Sequence, residues 1–143
     1  MALQVGELEL LSTATPAEAW HLVLQRTLSI CGEELPSSGI SGEITKRDRA
    51  VGALDHFLSA SAWDLWEAFG DVVERNADRL INWWKEPYKA KAILILDGLS
   101  LRELPWLTQG ARSRGFTIHN ATAYGAEIPC ETRAFARALG FYN

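Results

Sequence analysis

Apolar residues recur at helical spacing through the first part of the chain, and from Lys89 onward the pattern changes to short apolar runs separated by helical stretches. Leu3 to Leu11 carries Leu3, Val5, Leu8, Leu10 and Leu11, which suits a short strand or a segment laid over a core and decides neither. Thr15-Pro16-Ala17-Glu18 follows, with a capping hydroxyl, a proline for the first helical position and a glutamate that completes a capping box. A helix is therefore expected from about Pro16 to Cys31, stopped by Gly32, with Ala19, Trp20, Val23, Leu24, Thr27, Leu28 and Cys31 as its apolar stripe. Glu33 to Glu43, with Pro36, glycines and serines, reads as a loop and the best linker. Lys46 to Leu58 repeats Ala50, Val51, Leu54, Phe57 and Leu58 beneath a charged face, a second helix. Ser59 or Ser61 then caps a third, running to about Lys85 through Trp63, Trp66, Phe69, Val73, Ala77, Leu80 and Trp84. Gly70 is its weak point, and Pro87 lies just past its end.

The second part is organised around Ala92-Ile93-Leu94-Ile95-Leu96, an unbroken apolar run that suits a strand buried on both faces, as in a parallel sheet. Ser100-Leu101-Arg102-Glu103 is a second capping box, and a helix through Trp106, Leu107 and Ala111 to Arg114 should end at Gly115. Phe116 to Thr122 alternates with period two and predicts another strand. Tyr124 to Pro129 turns the chain into a last helix from Glu131 to Leu139, with Phe135, Ala138 and Leu139 inward. The expected fold is thus α/β: a helical N-terminal segment, residues 1–88, and then β-α-β-α units over 89–143 with a parallel sheet and right-handed crossovers.

Composition narrows the classes. A chain of 143 residues with 48% apolar and 22% charged residues can bury a sizeable core. Its net charge of -4 and pI near 5.4 argue against gripping nucleic acid through a general electrostatic footprint. The apolar runs are too short for a bilayer, and no signal-peptide pattern opens the chain, so a cytoplasmic protein that does not enter membranes is expected. Cys31 and Cys130 lack any CxxC spacing and read as free thiols.

Phosphate-loop, dinucleotide, serine-hydrolase and zincin motifs are all absent. His21, His56 and His119 are scattered singly; His119, on the second expected strand, reads as a hydrogen-bonded structural histidine. Glu33-Glu34 reads as solvated, and Arg112, Arg114, Arg133 and Arg137 as the wet faces of helices. The informative pair is Asp97 with Thr132. An acid at the carboxyl end of a parallel strand either caps a helix or forms a turn, or faces the crevice where open α/β sheets bind ligands, and Gly98 lets backbone approach closely. Pro129-Cys130-Glu131-Thr132 places a hydroxyl in the first turn of a helix, where it either caps the helix or meets an anion. Beside a divalent cation held by Asp97, such a hydroxyl would ionise more easily, as metal-bound water does.

Ile93-Leu94-Ile95-Leu96-Asp97-Gly98-Leu99-Ser100-Leu101-Arg102-Glu103, followed by Glu127-Ile128-Pro129-Cys130-Glu131-Thr132-Arg133-Ala134-Phe135, resembles the start of a PglZ domain over about Lys91 to Gly140. That domain belongs to the alkaline phosphatase superfamily and occurs in BREX-type phage-defence systems. The resemblance implies that Asp97 is a metal ligand, that Thr132 is both metal ligand and catalytic nucleophile, and that the cofactor is a divalent metal, zinc or else manganese. The family takes its remaining Asp and His ligands from later strands, so the resemblance also implies an N-terminal portion with an incomplete site, inactive by itself. Other subunits of a defence complex would be its partners, with nucleic acid a partner of the longer protein only. The competing expectation is a non-catalytic module that binds a defence-complex partner through its N-terminal helices. A small-ligand or nucleotide sensor at Asp97 has no motif behind it.

Overall fold

The computed structural model describes residues 5–141, and among these every regular element is helical. The elements are α1 (Val5–Thr13), α2 (Pro16–Gly32), α3 (Ile40–Ser61), α4 (Trp63–Val72), α5 (Asn76–Lys85), a 3-10 turn (Leu101–Glu103), α6 (Leu104–Ser113) and α7 (Thr132–Ala138). None of these helices is long and apolar enough to cross a membrane. They fall into two compact units. One takes the described residues up to Val72 together with Leu99–Ala123, and the other takes Val73–Gly98 together with the described residues from Tyr124 onward.

The first unit is built on α2. Its start is the capping box expected there: the Glu18 carboxylate accepts from the Thr15 backbone N–H at 2.9 Å, and the Thr15 hydroxyl in turn accepts from the Glu18 N–H at 3.4 Å. Ala19, Trp20, Val23 and Cys31 are buried along one stripe, together with Leu54 and Leu58 of α3. Trp20 anchors this core. Its ring stands edge-on to Trp66 at 4.9 Å and to Phe69 at 4.7 Å, and its Nε1–H donates to the Leu65 carbonyl at 2.7 Å. The other end of α2 is closed by a side chain from α3. Arg47, only 8% exposed, donates from Nη1 to the carbonyls of Cys31 (3.3 Å) and Glu33 (2.9 Å), and from Nη2 to that of Glu34 (3.2 Å). A guanidinium there satisfies carbonyls left open at a helix end and complements the negative end of the dipole.

Several boundaries differ from the sequence pattern. The segment Leu3 to Leu11 is helical from Val5, while Leu3 lies outside the described residues. The expected linker over Glu33–Glu43 already contains the first turn of α3, which starts at Ile40 after Gly39 at φ 73°. Glu43, in that turn, bonds Arg47 at 3.2 Å and pairs with Lys46 at 3.5 Å, so acidic dipole complementarity and spacing extend the helix backward. The long third helix is instead two, α4 and α5, and the break falls not at Gly70 but at Val73–Arg75. There the backbone turns to the segment around Gly125: Gly125 N–H donates to Glu74 O at 3.0 Å, and Asn76 N–H donates to Gly125 O at 2.9 Å. Tertiary backbone bonds have replaced the intrahelical ones.

The larger correction concerns the sheet. The expected α/β architecture, with alkaline-phosphatase-like parallel strands over Ala92–Leu96 and Phe116–Thr122, is not what the chain adopts. Among the described residues there is no strand, only the isolated parallel bridge between Arg75 and Gly125. A run of apolar residues specifies what wants burial, but a strand exists only through a hydrogen-bonded neighbour, which no local pattern encodes. The two segments fall in different units, and neither carries a ladder. Nor is the first one buried on both faces: Leu94 is 80% and Ile95 53% exposed.

In the second unit, α5 packs on α7. The Glu127 carboxylate accepts from the Ala77 N–H at 3.0 Å, so a residue from the Tyr124–Pro129 turn satisfies an open donor in the first turn of α5. Arg75 Nη1 donates to Ala126 O at 3.0 Å and holds the same turn. At the far end of α5, the Lys91 ammonium donates to the carbonyls of Trp83, Trp84 and Glu86 and lies 5.6 to 5.7 Å from the rings of Trp83, Trp84 and Tyr88. Cation–π attraction and the helix dipole both favour a cation at that place.

Candidate functional site

Asp97 and Thr132 lie in the same unit and touch. The Thr132 Oγ1 donates to Asp97 Oδ2 at 3.2 Å across 35 positions of sequence, while Asp97 Oδ1 accepts from the Gly98 N–H at 2.8 Å. Each partner is positioned by the elements on either side of it. Lys91, clasped at the end of α5, fixes one end of the apolar run, and Gly98 at φ 71° turns the backbone away at the other, a left-handed conformation that glycine adopts without strain. Thr132 is the first residue of α7, whose packing on α5 brings the hydroxyl to Asp97. The helix cap position is Glu131, with no capping side-chain bond, so the Thr132 hydroxyl is directed at Asp97 and not at its own helix.

Both side chains are exposed. The arrangement is a carboxylate with one oxygen tied to a backbone amide and the other to a hydroxyl, open to solvent on the remaining sides. Such a pair offers two oxygen donors to a cation. Among the described residues, no group of three or more His, Cys, Asp and Glu side chains is placed to hold a metal ion. Zinc takes four ligands and manganese more, so these residues alone do not fit a resident ion. His119 lies in the other unit, is exposed and makes no hydrogen bond with a described residue, where its alternation predicts a bonded structural histidine. His21 and His56 are exposed as well.

Three residues that organise the structure are not singled out by the sequence pattern. Arg47 looked like one more charge on a wet face, and its Glu43 partner at i−4 strengthens that impression. Glu127 and Lys91 act on helix ends that precede them in the chain, and the aromatic density of Trp83, Trp84 and Tyr88 beside a lysine is a signal for the second alone. Comparison with family models, with curated proteins and with solved structures finds no match to this chain.

Proposed function

We propose that the chain supplies one part of a metal-dependent phosphoester hydrolase site of the PglZ type, in which Asp97 is the carboxylate ligand and Thr132 the nucleophilic hydroxyl. The observation that carries this reading is the 3.2 Å contact between the two residues that the resemblance marks for those roles. It rests on that pair and not on a sheet. Left to themselves the two groups are inert. A neutral alcohol is a weak nucleophile, and losing its proton presents a barrier that neither group removes. A divalent cation, zinc or manganese, would lower that barrier, but two oxygens hold it weakly, so further donors must complete the site, contributed by other subunits of a defence complex or by other residues. Incubating the 143-residue chain with Zn²⁺ or Mn²⁺ and chromogenic phosphomonoesters and diesters should give no turnover. Turnover that disappears in both Asp97→Ala and Thr132→Ala would show that the chain already holds a complete site, and would overturn the partial-site reading.

One observation favours a second reading, a scaffold module without catalysis. Ile93, Leu94, Ile95 and Leu96 are all exposed, and a contiguous apolar surface is what a partner-binding protein presents. Loss of partner binding on Leu94→Asp, with Mn²⁺ affinity unaffected by Asp97→Asn, would select that reading.

A further inference from the structure

Within the first unit, α2, α3 and the 3-10 turn line a half-open cavity of about 520 Å³, within the range of small-ligand sites. Its apolar lining includes Leu35, Ile44, Val51 and Leu101. Three features point to what it takes. The first is Gly52, in the interior of a 22-residue helix, where glycine costs stability and an added Cβ would meet nothing within 4 Å. That wall is open where helix propensity alone would fill it. The second is the charge inventory of the lining. Arg47 is spent on three carbonyls and Glu43, and Asp48 is paired with Arg102 at 3.0 Å. The Asp55 carboxylate, one turn beyond Gly52, has no hydrogen bond or ion pair with a described residue. The third is the Asp48–Arg102 pair itself, which ties the 3-10 turn to α3 and so holds two walls of the cavity together.

From these features we infer that the cavity is a binding site for a small amine with an apolar, ring-sized body: the ring lies in the space beside Gly52, and the ammonium pairs with Asp55. An acid or phosphate is disfavoured, because among the described residues of the lining the uncommitted charge is negative. This inference concerns the first unit and is independent of the hydrolase reading. The contribution of Asp55 is modest, since an exposed ion pair changes affinity by about two- to fivefold. Most of the affinity comes from the apolar walls.

The test uses phenethylamine and its neutral counterpart 2-phenylethanol as probes, with backbone amide shifts of the 143-residue chain followed by NMR. Phenethylamine should bind with a millimolar Kd, as suits a ligand of about nine non-hydrogen atoms, and shift the amides of Cys31, Val51, Gly52, Asp55 and Leu101. It should bind about two- to fivefold more tightly than 2-phenylethanol. Asp55→Asn, a surface change that leaves the fold intact, should remove that preference and nothing else. Gly52→Leu should fill the cavity, abolish binding of both probes and leave the melting temperature unchanged or raised. Equal binding of the two probes by the unsubstituted chain would overturn the role of Asp55. Shifts confined to other residues, or binding that survives in Gly52→Leu, would overturn the site.

Discussion

Arg47→Met removes the guanidinium at the end of α2 and keeps the volume of its aliphatic stem. In the structure that guanidinium makes three bonds to carbonyls, at 2.9 to 3.3 Å, and one to the Glu43 carboxylate at 3.2 Å, from a side chain that is nearly buried. A hydrogen bond with a charged partner contributes about 1.5–3 kcal/mol when the abandoned group stays dry. The carbonyls of Glu33 and Glu34 lie at the surface and regain water, so their loss is partly repaired; that of Cys31 belongs to a buried residue. The net cost expected is about 2–3 kcal/mol. At roughly 3–5 °C per kcal/mol for a chain of this size, the melting temperature followed by circular dichroism should fall by about 6–15 °C. Arg47→Lys should recover only part of this, because an ammonium cannot span acceptors spread over Cys31, Glu33, Glu34 and Glu43. A fall of less than about 2 °C in Arg47→Met would mean that these carbonyls are hydrated in the native chain and that the bonds add nothing net.

Trp20→Phe leaves the Leu65 carbonyl without its 2.7 Å partner and should cost about 1–2 kcal/mol in a urea titration, whereas Trp20→Ala, which also empties the aromatic core, should cost about 3–5 kcal/mol. The carboxyls of Glu18, Glu43 and Glu103 are held below the usual glutamate range, chiefly by side-chain hydrogen bonds from Thr15, Arg47 and Ser100 respectively. With folded values below the unfolded one, the stability they add is complete above about pH 4.5 and is lost as the pH falls further. Melting temperature should therefore drop on acidification, and less steeply in the triple Glu→Gln variant. Burial pushes the Cys31 thiol up, while Cys130 is exposed, so a thiol reagent at pH 8 should modify Cys130 quickly and Cys31 slowly, and equal rates would contradict this.

What could be read in advance was what neighbouring residues decide among themselves. Both capping boxes, at Thr15 and Ser100, form as spaced, because hydroxyl, amide and carboxylate lie within one turn and need no tertiary help. The end of α2 at Gly32 and the packing of Trp20 follow equally from local periodicity. The larger failures required knowledge of a distant partner. The apolar run before Asp97 has the composition of a buried strand yet finds no ladder, and the helix through Val73 is broken by backbone bonds to Gly125, a residue far along the chain. The site is a mixed case. That Asp97 and Thr132 should be considered together came from a resemblance, while the α5–α7 packing that brings them into contact has no local signature.

The role of that pair is tested most directly by titrating Mn²⁺ into the isotopically labelled chain and following paramagnetic broadening residue by residue. Broadening should begin at Asp97, Gly98 and Thr132, at millimolar metal as two oxygen donors allow, and should vanish in Asp97→Asn while the fold, held by α5 and α7, is unchanged. Broadening centred elsewhere, at Glu33 and Glu34 for example, or a pattern indifferent to Asp97→Asn, would contradict the assignment of Asp97 and Thr132 as the metal-binding part of this chain.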